Sequence, residues 1–120
     1  MAHSAFYLLV SGSRHFSDSS LLDFHLSKAL VRQPQMILIC GEARGCDSLV
    51  HQWACEHRVP LLIAPAHWAS CGRSAGIIRN DLMLSMAHGV LAFPEANSKG
   101  TKYVINQARK MGLPIKVVAS

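Results

Sequence analysis

The chain's most chemically suggestive stretch is Gly41-Glu42-Ala43-Arg44-Gly45-Cys46-Asp47, which stands between the apolar run Met36 to Cys40 and a helical pattern. Gly41 and Gly45 let the backbone turn sharply and come close to a ligand, while Arg44 and Asp47 project from the turn and the helix start. Two other stretches have the same form. Ser11-Gly12-Ser13-Arg14 follows the first apolar run, and Pro94 to Thr101, with Ser98 and Gly100 inside it, follows Val90 to Phe93. Backbone amides at glycine-bearing turns and helix starts, surrounded by guanidinium groups, suit phosphate or another anion. Neither common cofactor fingerprint is present: Ser11 to Phe16 lacks the second and third glycines of a dinucleotide loop, and Gly41 to Asp47 lacks the Lys-Ser/Thr of a P-loop. A longer polar stretch, Pro65 to Gly76, holds Trp68 and Arg73, and Arg79, Asn80 and Asp81 follow it. Trp68 either stacks on a base or ribose or anchors the loop to the core.

His51, Cys55 and His57 lie close together, but no Cys-x-x-Cys or second pair completes a four-ligand set, so no metal is expected. Of the four cysteines, Cys46 falls on an apolar helix stripe and Cys40 ends an apolar strand. Cys71, in the long loop, is the one candidate for a reactive thiol. Without an evident export signal, reduced thiols are the expectation.

The 120 residues, half of them hydrophobic, are enough for a core and read as one domain over 1–120. No apolar stretch approaches the roughly 20 residues of a membrane helix, so a soluble, cytoplasmic chain is expected, without a membrane partner. The formal charge of +5 draws attention to nucleic acid. Position matters more than the sum, however. Arg14, Arg44, Arg73, Arg79, Lys99 and Lys102 fall in loops after strands or in the next helix's first turn, which favours a focused anion site. A groove for single-stranded nucleic acid would instead interleave basic residues with exposed aromatics along a strip.

These loops must be held by alternating strands and helices. Strands are expected at Phe6 to Val10, Met36 to Cys40, Leu61 to Ala64, Val90 to Phe93 and Pro114 to Val118, the first too continuously apolar to be half exposed. Between them the apolar spacing predicts four helices. The first is capped by Ser17 or Asp18 and runs to about Arg32, and the second runs from Cys46 to about His57. The third spans about Ile77 to Ala87. The fourth is capped by Thr101 and closed by Gly112, with Val104, Ile105, Ala108 and Met111 inward. Such alternation implies an α/β, Rossmann-like domain with a five-stranded parallel sheet covered on both faces. The order 3-2-1-4-5 would set the loops after the first and fourth strands side by side, at the sheet edge where ligands bind.

The residues quoted above resemble the small stand-alone members of the SLOG superfamily, the YspA and YpsA-related group. The shared pattern is Gly12-Ser13-Arg14, Gly41 to Asp47, Trp68 with Gly72-Arg73, Gly76 with Arg79-Asn80, and Phe93-Pro94 with Gly100-Thr101. The resemblance implies a Rossmann-like fold and a nucleotide or nucleotide-derived ligand, held as a sensor or binding module, with no further cofactor required. It places Gly12, Ser13, Arg14, Gly41, Arg44, Gly45, Asp47, Trp68, Arg73, Arg79, Asn80, Pro94, Ser98, Gly100 and Thr101 at the ligand. The superfamily also contains cytokinin-activating phosphoribohydrolases, whose Arg and Met match Arg79 and Met83. Their following Lys is Asn80 here, and their catalytic glutamate falls at Val104. An N-glycosidic hydrolase is therefore the alternative, with Arg79, Asp47 and Asp81 the candidate catalytic residues and Glu42 or Glu95 further sources of a carboxylate. Single-stranded DNA binding, as in the superfamily's DNA-processing protein A branch, ranks third, and assembly into a homo-oligomer fits the resemblance.

Overall fold

Strands buried on both sides hide their alternation in sequence, and packing makes it visible. Along β1 (Phe6–Gly12), Leu8 and Val10 face one side of the sheet and Leu9 the other. Leu38 and Cys40 against Ile39 in β2 (Met36–Cys40) repeat this, as do Leu91 and Phe93 against Val90 in β4 (Gly89–Phe93). The side that receives Leu8 is covered by α1 (Ser19–Arg32), through Leu22 and Leu26, and by α2 (Cys46–His57), through Val50, Trp53 and Ala54. The side that receives Leu9 is covered by α3 (Ala75–Met86), through Met83 and Leu84, and by α4 (Lys99–Met111), through Val104 and Ala108. Each fully buried Leu or Ile in these layers contributes about 2 kcal/mol of burial free energy.

This computed structural model describes residues 4–66 and 72–119. With β3 (Leu61–Ile63) and β5 (Ile115–Val117), the sheet is wholly parallel in the order β3-β2-β1-β4-β5, an α/β Rossmann-like fold. Strand order reverses at β1, between β2 and β4, and the carboxyl ends of those three strands carry the polar loops. No helix among the described residues is long and apolar enough to cross a membrane.

Several boundaries differ from the sequence reading, each for a local reason. β1 continues past Val10 because Ser11 and Gly12 still pair with Ala92 and Phe93. β3 stops at Ile63, although the Ala64 N–H donates to the Cys40 carbonyl at 2.9 Å. The third helix starts at Ala75, two residues before Ile77, after a 3-10 turn at Gly72–Ser74. Gly76 lies within its first turn, and buried Ala75 begins its inward face. Thr101 is not a cap: α4 begins at Lys99 with Ser98 at the N-cap position, and Thr101 is buried in the first turn, its Oγ1 accepting from Ser11 Oγ at 3.3 Å. Met111 is half exposed rather than inward. Gly112 leaves the helix with φ +74° and folds Leu113 back, with its N–H on the Ala108 carbonyl and its side chain against the core, so Leu113 takes the place the spacing gave to Met111.

Candidate ligand-binding site

The loop after β2 owes its shape to its glycines and to Asp47. Gly45 has φ +69°, and a Cβ there would overlap the backbone carbonyl of Arg14. That close approach lets the Cys46 N–H donate to the Ser13 carbonyl at 3.1 Å, so the loops after β1 and β2 are joined by main chain. Asp47, buried in the first turn of α2, reaches back across the loop and accepts the Ala43 N–H on Oδ2 at 2.9 Å. The Ser13 Oγ accepts the His15 N–H at 3.0 Å and holds the first loop in its own turn.

The loop after β4 ends differently. Ser98 Oγ turns away from α4 to accept the Glu95 N–H at 2.8 Å, so no side chain caps that helix, and its first turn carries no acidic residue. The Gly100 and Thr101 N–H groups have no partner among the described residues. Such a helix start attracts an anion through its free donors and its dipole.

Between these loops lies an open cavity of about 400 Å³. From the first loop it is lined by Gly12, Ser13 and Arg14, from the second by Gly41 and Asp47, from α3 by Arg79 and Asn80, and from the start of α4 by Ser98, Gly100 and Thr101. Arg79 spans it from α3. Its Nε donates to Asn80 Oδ1 at 2.9 Å, and its guanidinium lies over Gly41, where a Cβ would overlap Nη1 and stand 3.0 Å from Asp47 Oδ2. The guanidinium forms no ion pair among the described residues. A second cavity of about 520 Å³, between α1 and α2, is lined by Asp23, Glu56 and His57 and by no lysine or arginine among the described residues, whereas Arg14, Arg79 and Lys99 line the first.

Burial pushes the Asp47 carboxyl above its ordinary range, against the Ala43 N–H, the Arg79 and His51 side chains and the Gly41 N–H, which hold it down. The Cys40 thiol is pushed up to about 12, first by burial and then by the charge of Asp47. Cys46 is raised for the same reasons. Both are free, buried thiols of low reactivity, and Cys55 is free and exposed.

Other residues singled out in the sequence lie elsewhere. Arg44 is exposed and does not line the cavity, nor do Gly45 and Pro94. Asp81 is on the outer side of α3, accepting from Tyr103 Oη at 2.7 Å, and neither Glu42 nor Glu95 reaches the cavity wall. Val104 is fully buried in the apolar layer under α4. Trp68, Cys71 and the Arg73 side chain lie outside the described residues. Ser11, His15, Met83, Asn97 and Lys99 also line the cavity. Of these, Ser11, Asn97 and Lys99 fall inside the glycine-bearing loops quoted from the sequence, which is the signal that points to them.

Residues 6–70, a stretch that begins with β1 and includes β2, α2 and β3, match the sequence pattern of the YspA, cpYpsA-related SLOG family. The chain belongs to that family. It is similar over nearly its whole length to the Gene 61 protein of Mycobacterium phage D29, 32% identical over 115 residues that span 90% of this chain and 92% of the phage protein. No solved structure matches it. The matched region supplies both the Gly12 to Arg14 and the Gly41 to Asp47 loops. Arg79, Asn80 and the start of α4 come from beyond it.

Proposed function

We propose that this protein binds a nucleotide or nucleotide-derived small molecule at the carboxyl edge of its sheet, as a sensor or binding module. The observation that carries the reading is the convergence of Arg79, which forms no ion pair among the described residues, with a helix start that has no side-chain cap there, Gly100 and Thr101, on one cavity. Both favour an oxyanion, and the loops of β1 and β2 leave room beside it for a sugar or base. Family membership supports a nucleotide-related ligand without naming one. The reading is tested by thermal unfolding against nucleoside monophosphates, diphosphates, triphosphates and ADP-ribose. A ligand at 100 times its dissociation constant adds about 2.7 kcal/mol, a rise of about 10 °C for a domain of this size. A flat response to every nucleotide, with a rise for a single-stranded oligonucleotide, would replace a small-molecule site with a nucleic-acid surface.

One observation favours a second reading, hydrolysis of the ligand's N-glycosidic bond. Asp47 is a buried carboxyl in the cavity wall, and burial raises its proton affinity, as a general acid requires. Against it, the superfamily's catalytic carboxylate position is Val104, whose side chain lies in the core. Bound nucleotide without release of free base is the expected result on incubation with adenosine 5'-monophosphate. Release of adenine that Asp47→Asn abolishes, with affinity kept within a few-fold, would establish the hydrolase instead.

A further inference from the structure

Asn80 is the most deeply buried amide side chain of the cavity wall, 7% exposed, and its two ends are in different situations. Oδ1 accepts from Arg79 Nε at 2.9 Å. Because a guanidinium nitrogen can only donate, this contact fixes which end of the amide is oxygen. The Nδ2 end has no hydrogen-bond partner among the described residues and is directed to the start of α4, 3.8 Å from where a Cβ on Gly100 would stand. The residue as a whole is buried, and its free amide nitrogen opens on the cavity, where it offers two hydrogens to an acceptor from a ligand. The Arg79 Nη atoms and the Gly100 and Thr101 N–H, which line the same cavity, are donors as well.

We propose that Asn80 contacts the ligand's oxyanion through Nδ2 while holding Arg79 in place through Oδ1, so that one side chain couples the arginine on α3 to the helix start of α4. With Nε committed to Asn80, the side-on face of the guanidinium is closed, and the oxyanion is met end-on by the two Nη groups. A group with three or more oxygens, a terminal phosphoryl rather than a carboxylate, satisfies Nη, Nδ2 and the two amides together. Gly41 completes the device, because any side chain there would displace the guanidinium. The proposal rests on the anion-site reading above.

Two variants separate its parts. Asn80→Asp keeps an acceptor for Arg79 Nε, removes the Nδ2 donors and sets a negative charge against the anion. Asn80→Ala removes both contacts. Nitrogen-detected NMR of the ligand-free protein reads the holding role: the Arg79 Nε–H exchanges slowly with water in the native chain and in Asn80→Asp, and at least tenfold faster in Asn80→Ala. Calorimetric titration with adenosine 5'-monophosphate and with inorganic phosphate reads the contact: affinity for both falls at least tenfold in Asn80→Ala and a hundredfold in Asn80→Asp. Unchanged exchange in Asn80→Ala overturns the holding role, and Asn80→Asp within threefold of the native affinity overturns the contact. A native chain that binds neither probe overturns the anion-site reading and the contact with it, while the exchange measurement still decides whether Asn80 holds Arg79. If Asn80→Ala does not fold, Gly41→Ala makes the same test of Arg79 without touching the amide.

Discussion

A carboxyl group whose burial outweighs the charges that favour it opposes folding when it is charged, and Asp47 is such a group: Arg79 and His51 hold its proton affinity down, and burial raises it by more. The folded chain therefore keeps the Asp47 proton to higher pH than the unfolded chain does. Between the ordinary carboxylate value and the raised one, the folded state binds more protons, so this group's contribution to stability falls as pH rises through that window and stays low above it. Asn in its place accepts the Ala43 N–H without a charge. Asp47→Asn is expected to be at least as stable as the native chain at pH 7.5, and to show a smaller loss of melting temperature as pH rises from the ordinary carboxylate value to 7.5. A variant less stable at pH 7.5, with the pH dependence unchanged, would make Asp47 a structural clamp only. Legibility at this scale was uneven. Asp47 and Arg79 could be picked out by type and position, and both line the cavity. Arg44 has the same credentials in sequence yet stands exposed, because nothing in a residue's type records which way a turn aims it.

Among the elements, the helix ends show how backbone conformation distributes stability. α2 ends at Arg58 in the left-handed region, φ +55°, and α4 ends at Gly112, φ +74°. An L side chain at such a position costs roughly 1 kcal/mol, partly offset by the greater freedom glycine has when unfolded. Arg58→Gly is thus expected to stabilise the chain by about 0.5 kcal/mol and Gly112→Ala to destabilise it by about 1 kcal/mol, both measured by urea unfolding. A loss of stability in Arg58→Gly together with no loss in Gly112→Ala would mean that the side chains, not the backbone, set these ends. The strands were legible where an apolar run stops at a turn, as at Met36–Cys40. They were not where pairing carries a strand through polar or glycine residues, as at Ser11 and Gly12. The start of α4 was misplaced because Thr101 has a capping side chain, but the chain spends that hydroxyl on Ser11 across the cavity. The cap position itself falls to Ser98, whose hydroxyl accepts from Glu95 instead, so the helix start is left without a side-chain cap.

For the whole molecule, the strand order decides where chemistry can occur. With β1 between β2 and β4, the helices leaving β1 and β2 pack on one face and those leaving β3 and β4 on the other, and the loops part over β1. Alternating strands and helices made the parallel sheet legible from sequence, and the same order put the three glycine-bearing loops on one edge. The charge of +5 is less informative than its distribution, since Arg79 lines the cavity while Arg109 lies exposed in the last turn of α4. One measurement bears most directly on this account: calorimetric titration of adenosine 5'-monophosphate into the native chain, Arg79→Ala and Arg109→Ala at matched ionic strength. Arg79→Ala is predicted to lose at least tenfold in affinity, with Arg109→Ala within twofold of native. Equal losses in both variants would mean that overall charge, not the cavity at the sheet edge, holds the ligand.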